Sequence, residues 1–115
     1  MKKFKVAFGS ATWRDFEAIA LYRIEHFGLS EEDARAYVEK LQDTIRGKLT
    51  TSPMRWPISR QEPLHELDLR ICFGKNLSPY LTVFKVFEKK QKVLVYHIVW
   101  ERSNYAKLFA MDNES

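Results

Sequence analysis

Cysteine is nearly absent from the sequence: Cys72 is the single one in 115 residues. It can close no internal disulfide, and no cysteine or histidine stands beside it at metal-ligand spacing, which argues against a structural zinc or iron–sulfur centre. The role left to it is that of a small buried hydrophobe. Glycine is also scarce, with four residues, and these are scattered rather than gathered into GxxxxGK[ST] or GxGxxG. HExxH is missing too, so nucleotide-fold and metalloprotease readings fall away, and no metal or cofactor is expected. No apolar run approaches the roughly 18 residues of a membrane span. The opening MKKFKVAFG lacks a sustained apolar region followed by a small-residue cleavage site, so a cytoplasmic protein with no membrane partner is the expectation.

What is present is an ordinary globular composition, with 45% hydrophobic, 30% charged and 14% aromatic residues. Residues 1–115 are expected to form one domain around one core. Nineteen basic against fifteen acidic residues leave a net charge of +4 and a pI near 9.2. That excess suits nucleic acid or an acidic protein partner without choosing between them.

Phe4, Val6 and Phe8 alternate with Lys3, Lys5 and Ala7, the period-2 pattern of a half-buried strand, and the lysines suit a sheet edge. Ser10 offers a helix N-cap, and Trp13, Phe16, Ala20, Ile24 and Phe27 recur at steps that stack on one helix face before Gly28 ends it. Ser30 with Asp33 opens a second helix, whose stripe is Ala34, Tyr37, Val38, Leu41, Ile45 and Leu49. The two form an antiparallel helical hairpin.

Pro53, Pro57 and Pro63 make TTSPMRWPISRQEP, residues 50–63, a long loop. Three strands follow. In the first, Leu67, Leu69, Ile71 and Phe73 are expected to point inward, opposite Glu66, Asp68, Arg70 and Cys72. YLTVFKVF and VLVYHIVW are apolar on both faces, as interior strands should be, and EKKQK turns between them. Ser103 is placed to cap a short C-terminal helix with Tyr105, Leu108 and Phe109 inward, before MDNES frays. The expected fold is α+β: an N-terminal strand, a helical hairpin packed on a mostly antiparallel four-stranded sheet, and a short C-terminal helix.

YHIVWERSNY, residues 96–105, holds the densest group of chemically useful side chains. In an extended strand His97 and Glu101 stand about 13 Å apart and cannot act as a pair. His97, with Val95 and Val99 on its face, reads as a satisfied, partly buried ring. Tyr96 and Trp100 read as core residues facing the helices. Arg102 and Tyr105 remain at the strand-to-helix junction. Arg55, Trp56, Arg60, Lys75 and Tyr80 offer cations with interleaved aromatics, a pattern that suits a nucleic-acid or other target surface.

The order of elements, the LHEL leading into a strand, the hairpin YLTVFKVFEKKQKVLVYHIVW and the closing ERSNYAKLF together resemble the RelE/ParE superfamily of bacterial type II toxins. The likeness runs from about Phe4 to Phe109. It implies a compact basic toxin neutralised by an antitoxin that wraps its helices and sheet. RelE-like members cut mRNA on the ribosome, whereas ParE-like members poison DNA gyrase. The RNase branch places an arginine after the tyrosine that opens the middle strand, where this sequence has Leu81 after Tyr80. Near the end of the last strand only Arg102 stands near that branch's second arginine, and no histidine follows His97. ParE-like relatives carry a His-x-x-Arg-Asp-like strand end, of which WERSNY is a variant with Glu101 and Asn104 substituted.

The resemblance therefore implies a toxin nearer ParE, acting on gyrase and forming a hetero-oligomer with an acidic antitoxin. The alternative is a metal-independent, ribosome-dependent endoribonuclease using Arg70, Arg102 and Tyr105. Leu21 and Tyr22 fall outside the core stripe of the first helix and are the expected antitoxin contacts.

Overall fold

The computed structural model describes residues 3–109. Strand β1 (Lys5–Phe8) leads directly into helix α1 (Ser10–Phe27). The N-cap is Gly9 rather than the expected Ser10, which is the first helical residue. Close approach explains the glycine: its N–H donates to the Val95 carbonyl at 2.8 Å, and a Cβ there would lie 2.9 Å from the same oxygen. The Thr12 hydroxyl donates to the Gly9 carbonyl at 2.6 Å, which lets a polar residue sit fully buried under the helix.

The inward stripe of α1 is Thr12, Phe16 and Ile19; of the expected run Phe16 is buried and Ala20 packs against the core, but Trp13 and Phe27 do not. Those two are more than half exposed, at 53% and 59%. Both sets have helical spacing, but they lie on neighbouring flanks of the helix. The flank with more aromatic residues stacks instead on its surroundings, Trp13 edgewise on Phe8 and at a tilt on Phe16. Gly28, at φ 68°, ends the helix as expected.

Helix α2 (Glu31–Thr51) begins where Ser30 Oγ accepts from the Asp33 N–H at 3.0 Å. Glu31, Glu32 and Asp33 complement its positive end. The expected stripe is buried at Ala34, Val38, Leu41, Ile45 and Leu49. Arg46 ties α2 to β1 by donating to the Val6 carbonyl at 3.1 Å and by covering the Phe8 ring.

The remaining strands are β2 (Arg70–Cys72), β3 (Tyr80–Phe87) and β4 (Lys92–Trp100). The sheet order is β1-β4-β3-β2. β1 runs parallel to β4 and the other pairs are antiparallel. The α+β expectation holds, and β1 is an edge strand whose Lys5 is exposed.

Both faces of the sheet are covered. The hairpin packs on one, with Phe84, Cys72, Val93, Val95 and Ile98 against Phe16, Ile19 and α2. The other face carries Val83 and Val99, closed by Leu64, Leu69, Ala106 and Phe109.

Double coverage undoes the expected alternation at residues 66–73, because an apolar side chain is welcome on either side. Only Arg70–Cys72 is strand. Cys72 is fully buried on the helix side and Phe73 is 55% exposed. Phe73 meets Trp56 edge to face at 5.1 Å. Residues 50 and 51 of the expected loop belong to α2, and Pro53–Arg55 form a 3-10 turn.

A register shift in the β3–β4 ladder corrects another expectation. Val83 pairs with His97 but Phe84 pairs with Val95, leaving Tyr96 as the extra residue of a bulge. Tyr96 consequently packs on the far cluster and not against the helices. Val95 and Val99 fall in different clusters. Trp100 is 49% exposed.

At the C-terminal end, residues 106–109 make one helical turn. The Ser103 hydroxyl donates back to the Trp100 carbonyl at 2.6 Å. Ala106 and Phe109 are buried, while Leu108 is 40% exposed rather than inward. MDNES lies outside the described residues.

Candidate functional site

Beyond Phe8 the β1 strand stops, and among the described residues no strand continues it along that side of β4 from residue 96 onward, the opposite side being paired with β3. Asp15 on α1 fills that place. Its Oδ2 accepts the Ile98 N–H at 2.9 Å and lies 3.1 Å from His97 Nδ1. His97 also stands edge to face with Phe109 at 5.4 Å. The histidine is thus a satisfied, partly buried ring, as expected, with its side chain 17% exposed.

Next to this anchor a cleft of about 450 Å³ opens between α1 and the ends of β3 and β4. Ile19, Tyr80 and Ile98 form its buried floor, and Tyr22, Phe27 and Trp100 are exposed apolar walls. Arg23 closes one end, and Glu101 and Arg102 stand at the rim, both exposed.

Arg23 is held by aromatic faces. Its guanidinium carbon lies 4.1 Å from the Tyr37 ring centre, 4.8 Å from that of Phe27 and 5.9 Å from that of Tyr80. Nη2 donates to Tyr37 Oη at 2.8 Å. Nε is buried without a hydrogen-bond partner. Among the described residues no carboxylate pairs with this cation. Burial raises the Tyr37 phenol above its ordinary pKa, with the Arg23 charge opposing the shift and Tyr80 adding to it.

A second cleft of similar volume lies beside the start of α1, between Leu67, Leu94, Tyr96 and Phe109, with Lys85 and His97 on its wall. Among the described residues no group of His, Cys, Asp and Glu side chains is placed to hold a metal ion. No helix there is long and apolar enough to cross a membrane.

The residues singled out in the sequence do not gather at one place. Tyr22, Tyr80 and Arg102 meet in the first cleft. Leu21 is 54% exposed but does not line it, since adjacent helical residues point about 100° apart. Arg55, Trp56 and Arg70 gather at the β2 edge: Arg55 covers the Trp56 ring at 5.1 Å and Arg70 donates to the Trp56 carbonyl. Arg60 and Lys75 are exposed. Tyr105 packs on the far cluster. Arg70, Arg102 and Tyr105 are therefore not assembled into one constellation.

Asp15 and Arg23 are the contributors that sequence patterning passed over. A signal for Arg23 existed: Thr12, Phe16, Ile19 and Arg23 step by 4, 3 and 4, so the arginine occupies a core-facing position.

The class defined by this architecture is an α+β fold of the ParE-like kind. It is similar to a chain of the solved structure described as "Chromosomal ParDE TA system from P. aeruginosa", with a TM-score of 0.64 and 14% identity over 84% of this chain and 95% of that one. No protein-family model and no curated protein matches the sequence.

Proposed function

We propose that this protein is the toxin of a type II toxin–antitoxin system, nearer ParE than RelE. In this reading it acts in the cytoplasm by binding and poisoning DNA gyrase and is silenced by direct binding of an acidic antitoxin. The observation that carries the reading is the fold, shared across nearly the whole length of a chain from a ParDE system.

The dispersal of Arg70, Arg102 and Tyr105 supports gyrase over mRNA as the target. Phosphodiester cleavage needs a base, an acid and fixed positive charge within reach of one phosphate. Here Arg70 is engaged on Trp56 at one edge of the sheet, Arg102 stands at the cleft rim, and Tyr105 belongs to the far cluster. Leu81, where an RNase relative has arginine, packs on that same cluster. Leu21 and Tyr22 are the proposed antitoxin contacts, both apolar and substantially exposed.

The test is supercoiling by purified gyrase with and without the protein. Inhibition or a trapped cleavage complex is the expected result. No effect at several-fold excess, together with codon-dependent mRNA cuts on ribosomes, would overturn the gyrase reading in favour of the endoribonuclease.

A further inference from the structure

The cover over the far face of the sheet is partial. Leu64, Leu69, Ala106 and Phe109 close the half that carries Val83 and Val99. In the other half, toward the β3–β4 turn, Val6, Phe84, Val86, Val93 and Val95 face the helices. Alternation therefore places Lys5, Ala7, Lys85, Phe87, Lys92 and Leu94 on the far side, and all six are at least partly exposed. The ladder sets them in two rows, Lys5 beside Lys92 beside Phe87 and Ala7 beside Leu94 beside Lys85.

Three of the six are lysines, three are apolar and none is acidic. Lys5 and Lys92 are register partners. Neighbouring strands run about 4.8 Å apart, so two like charges leave the sheet side by side, which is destabilising. Lys89 and Lys90 in the β3–β4 turn add two exposed cations. Among the described residues none of these lysines pairs with a carboxylate. A lysine on an edge strand discourages pairing with other chains, which accounts for Lys5. It does not account for Lys85 and Lys92, because β3 and β4 are the interior strands.

Aromatic surface lies within reach of these charges. The Lys85 ammonium stands 5.4 Å from the centre of the Phe87 ring. Lys85 and Leu94 also line the second cleft, of about 450 Å³, which continues the strip to Tyr96, His97 and Phe109. Cations interleaved with flat apolar surface hold a polyanionic backbone while its bases stack. A duplex keeps its bases stacked on one another and could use neither the Phe87 ring nor the cleft.

We propose that this half of the sheet face binds single-stranded nucleic acid, with phosphates on Lys5, Lys85 and Lys92, one base on the Phe87 ring and a neighbouring base in the second cleft. Charge complementarity selects the occupant, since the face offers lysines and no acid. The surface is separate from the Arg55 and Trp56 group at the β2 edge, and α1 with Leu21 and Tyr22 packs on the opposite face of the sheet. The inference goes beyond the toxin reading and does not rest on it.

The experiment measures binding of labelled oligothymidine and oligouridine to the intact protein by fluorescence anisotropy over a series of salt concentrations. The logarithm of affinity should fall linearly with the logarithm of salt. Lys5→Gln, Lys85→Gln and Lys92→Gln should each reduce the slope by about 0.7, the value for one phosphate contact of a single strand. Phe87→Leu, which keeps an apolar side chain, should weaken binding about ten-fold with the slope unchanged, because stacking is lost and charge is not. Arg35→Gln, at an exposed cation of α2, should bind as the parent does. Lys5 and Lys92 are exposed, so their variants decide the matter if Lys85→Gln or Phe87→Leu proves unfolded by its amide spectrum. Binding of either oligonucleotide supports the site, and the tighter one identifies the sugar.

Equal losses from Arg35→Gln and the sheet-lysine variants would reduce the effect to general attraction by a basic protein and overturn the site. So would a loss from Arg60→Gln with none from Lys92→Gln, which would move the strand away from this face. Tighter binding of duplex DNA or of phosphatidylserine vesicles than of either single strand at the same salt would assign the lysines to a different polyanion and overturn the proposal as well.

Discussion

Asp15 and His97 stand 82 positions apart in the sequence and 3.1 Å apart in the fold, with the same carboxylate oxygen accepting the Ile98 N–H. One side chain of α1 thus takes the place of the missing strand along the upper edge of β4, just past the bulge at Tyr96. Because a carboxylate oxygen accepts, Nδ1 carries the histidine proton in this contact.

Asp15→Ala is expected to cost about 1–3 kcal/mol, the range for leaving a partly buried donor unsatisfied. Asp15→Asn, which keeps an acceptor for the Ile98 N–H, should cost less. Urea unfolding of the two variants checks this: equal and negligible shifts in midpoint would mean that water serves the β4 edge as well as Asp15 does.

The thiol of Cys72 gives a prediction about pH. Burial pushes its pKa from 9.0 up to about 11, against a smaller opposing pull from Lys48 and Arg55. A raised folded-state value means that the neutral form is favoured by folding, so the contribution is complete below the unfolded pKa and disappears as pH climbs through the folded one. Stability should therefore be insensitive to this group up to about pH 9 and fall between roughly 9 and 11, by at most about 1.4 kcal/mol per pH unit. Tyr37 is raised in the same direction and adds to the fall. Cys72→Ala should flatten part of the slope, and native Cys72 should react slowly with a thiol reagent that modifies it at once in urea. Rapid native labelling would contradict the burial.

Cys72 also marks where sequence patterning stops being informative. Local signals were legible: Ser30 caps Asp33, Gly28 takes the left-handed conformation, and the α2 stripe from Ala34 to Leu49 is buried as its spacing requires. Alternation failed at Cys72 and Phe73 because the sheet is covered on both faces, and period 2 carries information only when one face is wet. The bulge at Tyr96 was hidden for another reason, since it belongs to the pairing of two strands and not to either alone. The cleft was hidden most completely. Tyr22 and Tyr80 are each conspicuous in the sequence, but nothing local brings Arg23 to Tyr80 or Asp15 to Ile98.

Tyr105→Phe separates the two target readings with little structural cost, because the ring that packs on the far cluster is kept and only the hydroxyl is lost. Under the gyrase reading, growth inhibition on induced expression should match the parent. An endoribonuclease relying on that hydroxyl for proton transfer should lose on the order of 100-fold or more in mRNA cleavage. Loss of toxicity in the folded variant, with gyrase inhibition intact in vitro, would point back to RNA.

Leu21 and Tyr22 decide how the antitoxin lies on α1. Leu21 is 54% exposed and Tyr22 42%, so Leu21→Glu should leave the unfolding midpoint nearly unchanged, as surface substitutions do, while Tyr22→Ala, which removes the ring contacts with His26 and Phe27, should cost about 1 kcal/mol. Their effects on affinity should differ in kind. Tyr22 lines the cleft and stacks on His26 and Phe27, so its loss opens the wall against which an apolar anchor would rest, and a fall of about ten-fold or more is expected. Leu21 does not line the cleft, and Leu21→Glu also sets a negative charge against an acidic partner, so it should weaken binding mainly by repulsion that salt relieves. Calorimetry with the purified antitoxin at two ionic strengths distinguishes these cases. A salt-independent loss at Leu21 with none at Tyr22 would move the antitoxin onto the outer flank of the hairpin, and no loss at either would remove α1 from the interface.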